Sequence, residues 1–170
     1  LSKYLRVRGF SAELSRTLSP EDMTVQSMPD ASPTKWHLAH TSWFFETFIL
    51  KALDNGYAVF DDTYEFLFNS YYNGVGPQFS RPHRGVLSRP TVAEISDYRG
   101  HVDAAMSSFI EGCSDHEWHA AHALIVLGLN HEQQHQELIV TDLKHAMSLN
   151  PLHPVVYPST PNEFASVEPG

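Results

Sequence analysis

Residues 114–150 read SDHEWHAAHALIVLGLNHEQQHQELIVTDLKHAMSLN. Ser114, followed three positions later by Glu117, forms a capping box, in which each side chain satisfies the other residue's backbone N–H. The helical pattern then continues to Leu149 and stops at Asn150-Pro151, because proline disfavours helical backbone in the residue before it. At 1.5 Å per residue such a helix is about 50 Å long. Gly128 lies inside it and marks either a kink or a close helix contact. A helix of this length needs neighbours for its apolar side.

Those neighbours are read upstream. Thr91-Val92-Ala93-Glu94 is a second capping box, opening a helix to about Gly112. Ser32-Pro33 has the form of an N-cap with proline in the first turn. The helix after it runs from Pro33 to about Leu53 and is rich in aromatics: Trp36, Trp43, Phe44, Phe45 and Phe48. Asp54-Asn55-Gly56 stops it. Residues 2–18 carry Tyr4, Leu5, Val7, Phe10, Leu14 and Leu18 near helical spacing. Ser19-Pro20-Glu21-Asp22 opens a further short helix. Residues 56–90 combine many aromatics with Gly74, Gly76, Pro77, Pro82, Gly85 and Pro90, so a long irregular connection is expected, with a short helix near 62–68. There is no internal repeat and no sheet pattern. The expected fold is all-α, an antiparallel four-helix bundle with one long crossover loop.

Composition narrows the function. A length of 170 residues suits one domain with a substantial core. Eleven basic against twenty acidic residues give a net charge of -9, which disfavours nucleic-acid binding and docking on anionic membranes. No apolar run is long enough to predict a transmembrane helix. No apolar segment follows Leu1-Ser2-Lys3-Tyr4, so no signal peptide is expected. Cys113 is the sole cysteine. It cannot build an internal disulfide framework, and a cytoplasmic location is expected. Between Gly112 and Ser114 it reads as a turn residue rather than a nucleophile. Residues 151–170 contain five prolines and read as a linker following a domain at 1–150.

Eleven histidines are many for this length. His131 and His135 stand four apart on the long helix, so they share a face and can bind one metal ion. Leu124, Leu127 and Leu138 extend that face, which is expected to look inward. Buried imidazoles need partners for their nitrogens, and a metal provides one. A third ligand must come from another helix. His40 is the preferred candidate, flanked by the small Ala39 and Thr41; His37, three residues earlier, is the alternative. Gln134 sits on the ligand side, within reach of a bound substrate. Glu137 is off the metal-facing stripe and suits outer-sphere bonding or a neighbouring helix. The spacing of His131, Glu132 and His135 matches a zinc-protease motif by letter, but Glu132 alone does not make a protease. His101, His145 and the group His116, His119 and His122 read as solvated or interhelical polar residues. Imidazole ligands suit Zn, Cu, Fe and Ni alike.

Several stretches together resemble a known family. They are SMPDASPTKWHLAHTSWFFETF (27–48), FNSYYNGVG (68–76), RPHRG (81–85) and GLNHEQQHQEL (128–138). They are similar to the N-terminal domain of ergothioneine-type sulfoxide synthases, the EgtB family, with OvoA and the selenoneine synthases as close relatives. The resemblance covers essentially the whole chain. It implies a DinB-like four-helix bundle and an Fe(II) ion held by His40, His131 and His135. Such enzymes use O2 to join the thiol of cysteine or γ-glutamylcysteine to the imidazole of trimethylhistidine. Arg81 and Arg84 match an Arg-x-x-Arg element that binds the thiol substrate's carboxylates, and Gln134 matches a glutamine that contacts the histidine-derived substrate. In the family's full-length proteins a formylglycine-enzyme-like C-terminal domain follows and supplies the catalytic tyrosine. Residues 151–170 are expected to lead toward it, and the catalytic residues to lie in it. Two other readings are a DinB-like Zn- or Ni-dependent thiol S-transferase or hydrolase, and a non-catalytic helical module.

Overall fold

A computed structural model describes residues 1–72 and 74–157, and all regular structure among them is helical. The helices are α1 (Ser2–Ser15), α2 (Thr34–Phe45), α3 (Lys51–Leu53), α4 (Tyr64–Phe68), α5 (Val92–Gly112) and α6 (Asp115–Ser148). A π-helical turn, Glu46–Leu50, joins α2 to α3, and 3-10 turns occupy Asp22–Thr24 and Arg81–Val86. Residues 151–157 carry no helix, and the remainder of the expected linker, 158–170, lies outside the described residues, as does Asn73.

The sequence signals at helix starts hold where the chain is exposed and change where it is buried. Thr91 with Glu94, and Ser114 with Glu117, form the two capping boxes. Ser19 and Asp22 also satisfy each other reciprocally, at 3.1 and 3.0 Å, but open only the single 3-10 turn. Ser32 does not cap α2; the N-cap is Pro33, with no side-chain bond. The proline holds the residue before it in an extended conformation. The Ser32 hydroxyl instead accepts from Arg84 at 2.9 Å, and its N–H donates to Asp142 at 2.8 Å.

Helix α2 is central. All twelve of its residues are buried, and it packs against α1, α5 and α6, while α1 also packs on α6. The core around it includes Tyr4, Trp43, Phe45, Ile49, Tyr98 and Met106. Each such side chain contributes about 1.5–3 kcal/mol on burial. The π-helical turn was not legible as a departure from helical periodicity. It begins at Glu46, whose buried carboxylate accepts from Tyr57 Oη at 2.5 Å and Tyr98 Oη at 2.6 Å. The crossover from α3 to α5 returns to α2 through α4, where Tyr64 and Phe68 are buried.

The buried residues of α6 are Ala121, Ile125, Gly128, Leu129, Glu132, His135, Gln136, Ile139 and Leu143. Leu127, expected to face inward, is 54% exposed. It lies one residue, about 100°, from Gly128. That glycine marks a close contact: a Cβ there would fall 2.6 Å from Phe45 Cε1 and 2.8 Å from Phe44 Cε1. Gly128→Ala is therefore expected to lower stability by about 1–3 kcal/mol from overpacking, despite alanine's better helix propensity. Chemical denaturation checks this, and a stabilised variant would contradict the close packing. No helix among the described residues is long and apolar enough to cross a membrane.

Candidate metal centre

Helix α2 presents His37 and His40, and α6 presents His131 and His135, from facing sides. One ring nitrogen from each of His40, His131 and His135 lies within 4.8 Å of the others. The ring centroids are 4.9 Å apart for His40–His131, 4.7 Å for His40–His135 and 4.5 Å for His131–His135. His40 stacks on both Trp36 and Trp43, with interplanar angles of 14°. His131 rests against Phe44. Aromatic packing thus fixes the rings.

The hydrogen bonds direct the lone pairs. His40 Nδ1 lies 2.6 Å from the Phe68 carbonyl, so it carries the proton and leaves Nε2 free. That Nε2 faces His131 Nε2 at 3.1 Å. His135 Nδ1 lies 2.8 Å from His37 Nδ1, which leaves Nε2 of His135 for the cluster. Burial is the largest cause of a downward pKa shift at all three rings. It takes His131 to about 4. His40 is held well below its ordinary value with help from His131, and His135 is lowered further by His40 and His37. The donors are therefore neutral well below pH 7. Three neutral imidazoles whose ring nitrogens converge in this way could hold a metal ion. Metal affinity is expected to change little between about pH 7.5 and about pH 5.5, since no ligand proton need be released there. A tenfold loss per pH unit starting near the ordinary histidine value of about 6.5, seen by metal titration, would contradict this.

The three histidines line a cavity of about 340 Å³. Its walls include Trp36, Tyr71, Arg81, Arg84, Gln134 and Leu138. The 3-10 turn Arg81–Val86 brings both arginines to this wall, a turn missed because its proline and glycine read as loop. Arg84 is buried, lies 3.3 Å above the Trp36 ring and donates to the hydroxyls of Ser32 and Ser70 at 2.9 and 3.2 Å. None of these partners is a carboxylate, and its Nε has no partner among the described residues. Burial, then the neighbouring Arg81, lowers its pKa to about 9. Arg81 donates to Tyr71 Oη at 2.6 Å and to the Asp30 carbonyl. Tyr71 adopts a left-handed backbone, φ 62°, which is uncommon for a bulky residue and recurs where function fixes a loop. Gln134 is exposed at the cavity's edge.

Two acidic residues of the His-rich stretch take other roles. Glu137 is exposed. Glu132 points away from the metal cluster into the core, where Arg8, Arg99 and Ser11 bind it. His37 lies outside the three-histidine group; its Nδ1 is 2.8 Å from His135 Nδ1 and its Nε2 3.1 Å from Asp142 Oδ2. Asp142 lies seven residues beyond His135 on α6, a helical-face spacing that could have revealed it. Of the histidines read as solvated or interhelical, His145 bonds Ser27, His101 Nε2 lies 2.9 Å from the Ala58 carbonyl, and His116, His119 and His122 are exposed.

The family model described as DinB superfamily matches residues 4–139. No curated protein matches the sequence.

Proposed function

This chain belongs to the DinB superfamily, and from that premise we propose that it is the iron-binding domain of a non-haem Fe(II), O2-dependent sulfoxide synthase. The substrates in this reading are trimethylhistidine and the thiol of cysteine or γ-glutamylcysteine. The superfamily includes metal-dependent enzymes, and three histidines here could hold the metal. The observation that carries the finer reading is Arg84, a buried cation without a carboxylate partner among the described residues, on the wall of the same cavity as His40, His131 and His135. A buried guanidinium is costly unless an anion joins it. A carboxylate of an amino-acid thiol would satisfy it, in the bidentate geometry arginine favours.

Iron held by the three imidazoles would supply O2 activation and a position for the thiol sulfur. The chain's own residues would do the rest. Arg84 and Arg81 fix the thiol substrate by its carboxylates, so that its sulfur points toward the histidines. Gln134 at the rim orients the trimethylhistidine imidazole. Trp36, Trp43 and Phe44 keep the far side of the ligand rings dry. We read the four long helices as an antiparallel bundle spanning residues 1–150. Residues 151–170 would then lead to a C-terminal domain of the same full-length protein that supplies the catalytic groups.

A Zn- or Ni-dependent thiol S-transferase or hydrolase on this fold is the second reading, because three imidazoles suit those metals as well. Loading the full-length protein anaerobically with each metal, then offering thiol with trimethylhistidine and O2, or thiol with an electrophile and no O2, separates the two. Coupling that needs Fe(II) and O2 supports the synthase; thiol transfer without O2 overturns it. Arg84→Met is expected to weaken binding of cysteine or γ-glutamylcysteine about 10- to 100-fold by loss of charge-assisted hydrogen bonds. Calorimetry on the metal-loaded chain reads this, and unchanged binding removes the support Arg84 gives.

A further inference from the structure

Behind the metal cluster, a file of polar groups runs from α6 through α2 and back to α6. The Ser32 backbone N–H donates to Asp142 Oδ2 at 2.8 Å, His37 Nε2 lies 3.1 Å from the same oxygen, and His37 Nδ1 lies 2.8 Å from His135 Nδ1. His37 is 3% exposed, and its ring sits 5.1 Å from that of His135 and 5.8 Å from that of Trp36. An ionised carboxylate only accepts, so the proton on His37 belongs on Nε2. Nδ1 of the neutral ring then accepts, so His135 must donate from its own Nδ1. With His37 neutral, one pattern of bonding satisfies every group, and it leaves the His135 Nε2 lone pair free to bind a metal.

We infer that His37 and Asp142 are positioning residues that fix the tautomer and orientation of His135 as a metal ligand, through a carboxylate–imidazole–imidazole relay. This rests on the metal-centre reading above. His40 has a simpler device, a backbone carbonyl on its Nδ1. The relay replaces that carbonyl with a polarisable imidazole anchored by a carboxylate, which increases the donor strength of His135. Partners of this kind typically change metal affinity 10- to 100-fold.

Anaerobic titration of the full chain with Co(II), followed by its visible absorption, tests the relay. His37→Phe keeps a ring and removes both nitrogens; it is expected to weaken Co(II) binding about 10- to 100-fold. His37→Gln can accept from His135 through its amide oxygen and donate to Asp142 through its amide nitrogen, so it is expected to recover most of the affinity. Asp142→Asn removes the charge while keeping an acceptor, and a smaller loss is expected. The Co(II) spectrum of every variant at saturation should match that of the unaltered chain, since no ligand is lost. Far-UV dichroism and melting of the metal-free variants establish that they fold. The relay is overturned if folded His37→Phe binds as the unaltered chain does, or if His37→Gln is as weak as His37→Phe. A spectrum showing a lost nitrogen donor also overturns it, because His37 would then be a ligand. If the unaltered chain binds no Co(II), the metal-centre reading falls and the relay with it; if it binds and only the variants behave otherwise, the relay alone falls.

Discussion

His131→Ala and His135→Ala are each expected to abolish stable metal binding. The unaltered chain, loaded anaerobically with Fe(II) and desalted, should retain about one ion per chain, as expected of a single three-ligand site; each variant should retain essentially none. The reason is chelation on two helices. Residues 131 and 135 supply two of the three donors, and α2 supplies only His40. Loss of either ring leaves two donors, and two imidazoles on different helices or adjacent turns do not hold a labile divalent ion through desalting. The loss should exceed the 10- to 100-fold that an outer-sphere partner contributes. A second readout is thermal. At a free metal concentration about 100 times Kd, binding adds about 2.7 kcal/mol of stability, which for a chain of this size raises Tm by roughly 5–10 °C. The shift should vanish in both variants. His119→Ala, at an exposed position on the same helix, should keep both the ion and the shift. Unchanged iron stoichiometry in His131→Ala or His135→Ala would defeat the metal-centre reading.

The parts of this architecture that the sequence disclosed are those governed by local chemistry. Capping boxes at Thr91 and Ser114, the stop at Asn150-Pro151 and the spacing of His131 and His135 depend on neighbours a few residues away, and each appears in the fold where its pattern places it. Features set by tertiary burial did not appear. Ser32 has the letters of a cap but is claimed by Arg84, 52 residues away. The helix after it reads as rich in aromatics, yet its polar residues are buried along with them. Leu127 lies within the apolar pattern yet faces solvent, because Gly128 lets Phe44 and Phe45 approach the adjacent face. At the site, His40 lies with His131 and His135 in a group that could hold one ion, whereas His37 contacts Asp142, which no motif singled out.

Glu132 marks the sharpest divergence between motif and environment, and it carries the largest expected effect on stability. In a His-Glu-x-x-His sequence this position is a general base in zinc proteases. Here its carboxylate is fully buried and accepts from Arg8 at 2.9 Å, Arg99 at 3.1 Å and Ser11 at 2.7 Å. Arg8 reaches on to Asp103 at 2.6 Å, and the two arginines also bond Thr41 on α2, so one network ties α1, α2, α5 and α6 together. Burial by itself would raise the Glu132 carboxyl; Arg8 and Arg99 outweigh it and hold it at about 2. Glu132→Ala leaves two buried guanidiniums facing a void, and is expected to cost about 3–5 kcal/mol, a large part of a typical total stability. Glu132→Gln keeps the shape and an acceptor and should cost less. The pH dependence follows from the sign of the shift. The folded pKa lies below that of the unfolded chain, so the carboxylate's stabilisation is complete above pH 4.5 and is lost as pH falls toward about 2. Urea denaturation at neutral pH and near pH 3 should therefore show the gap between the unaltered chain and Glu132→Gln narrowing as pH falls. A gap that stays constant would mean that the charge of Glu132 contributes nothing. If Glu132→Gln stayed folded and bound metal normally yet lost all turnover, the residue would be acting on substrate, and its assignment to the structural network would be wrong.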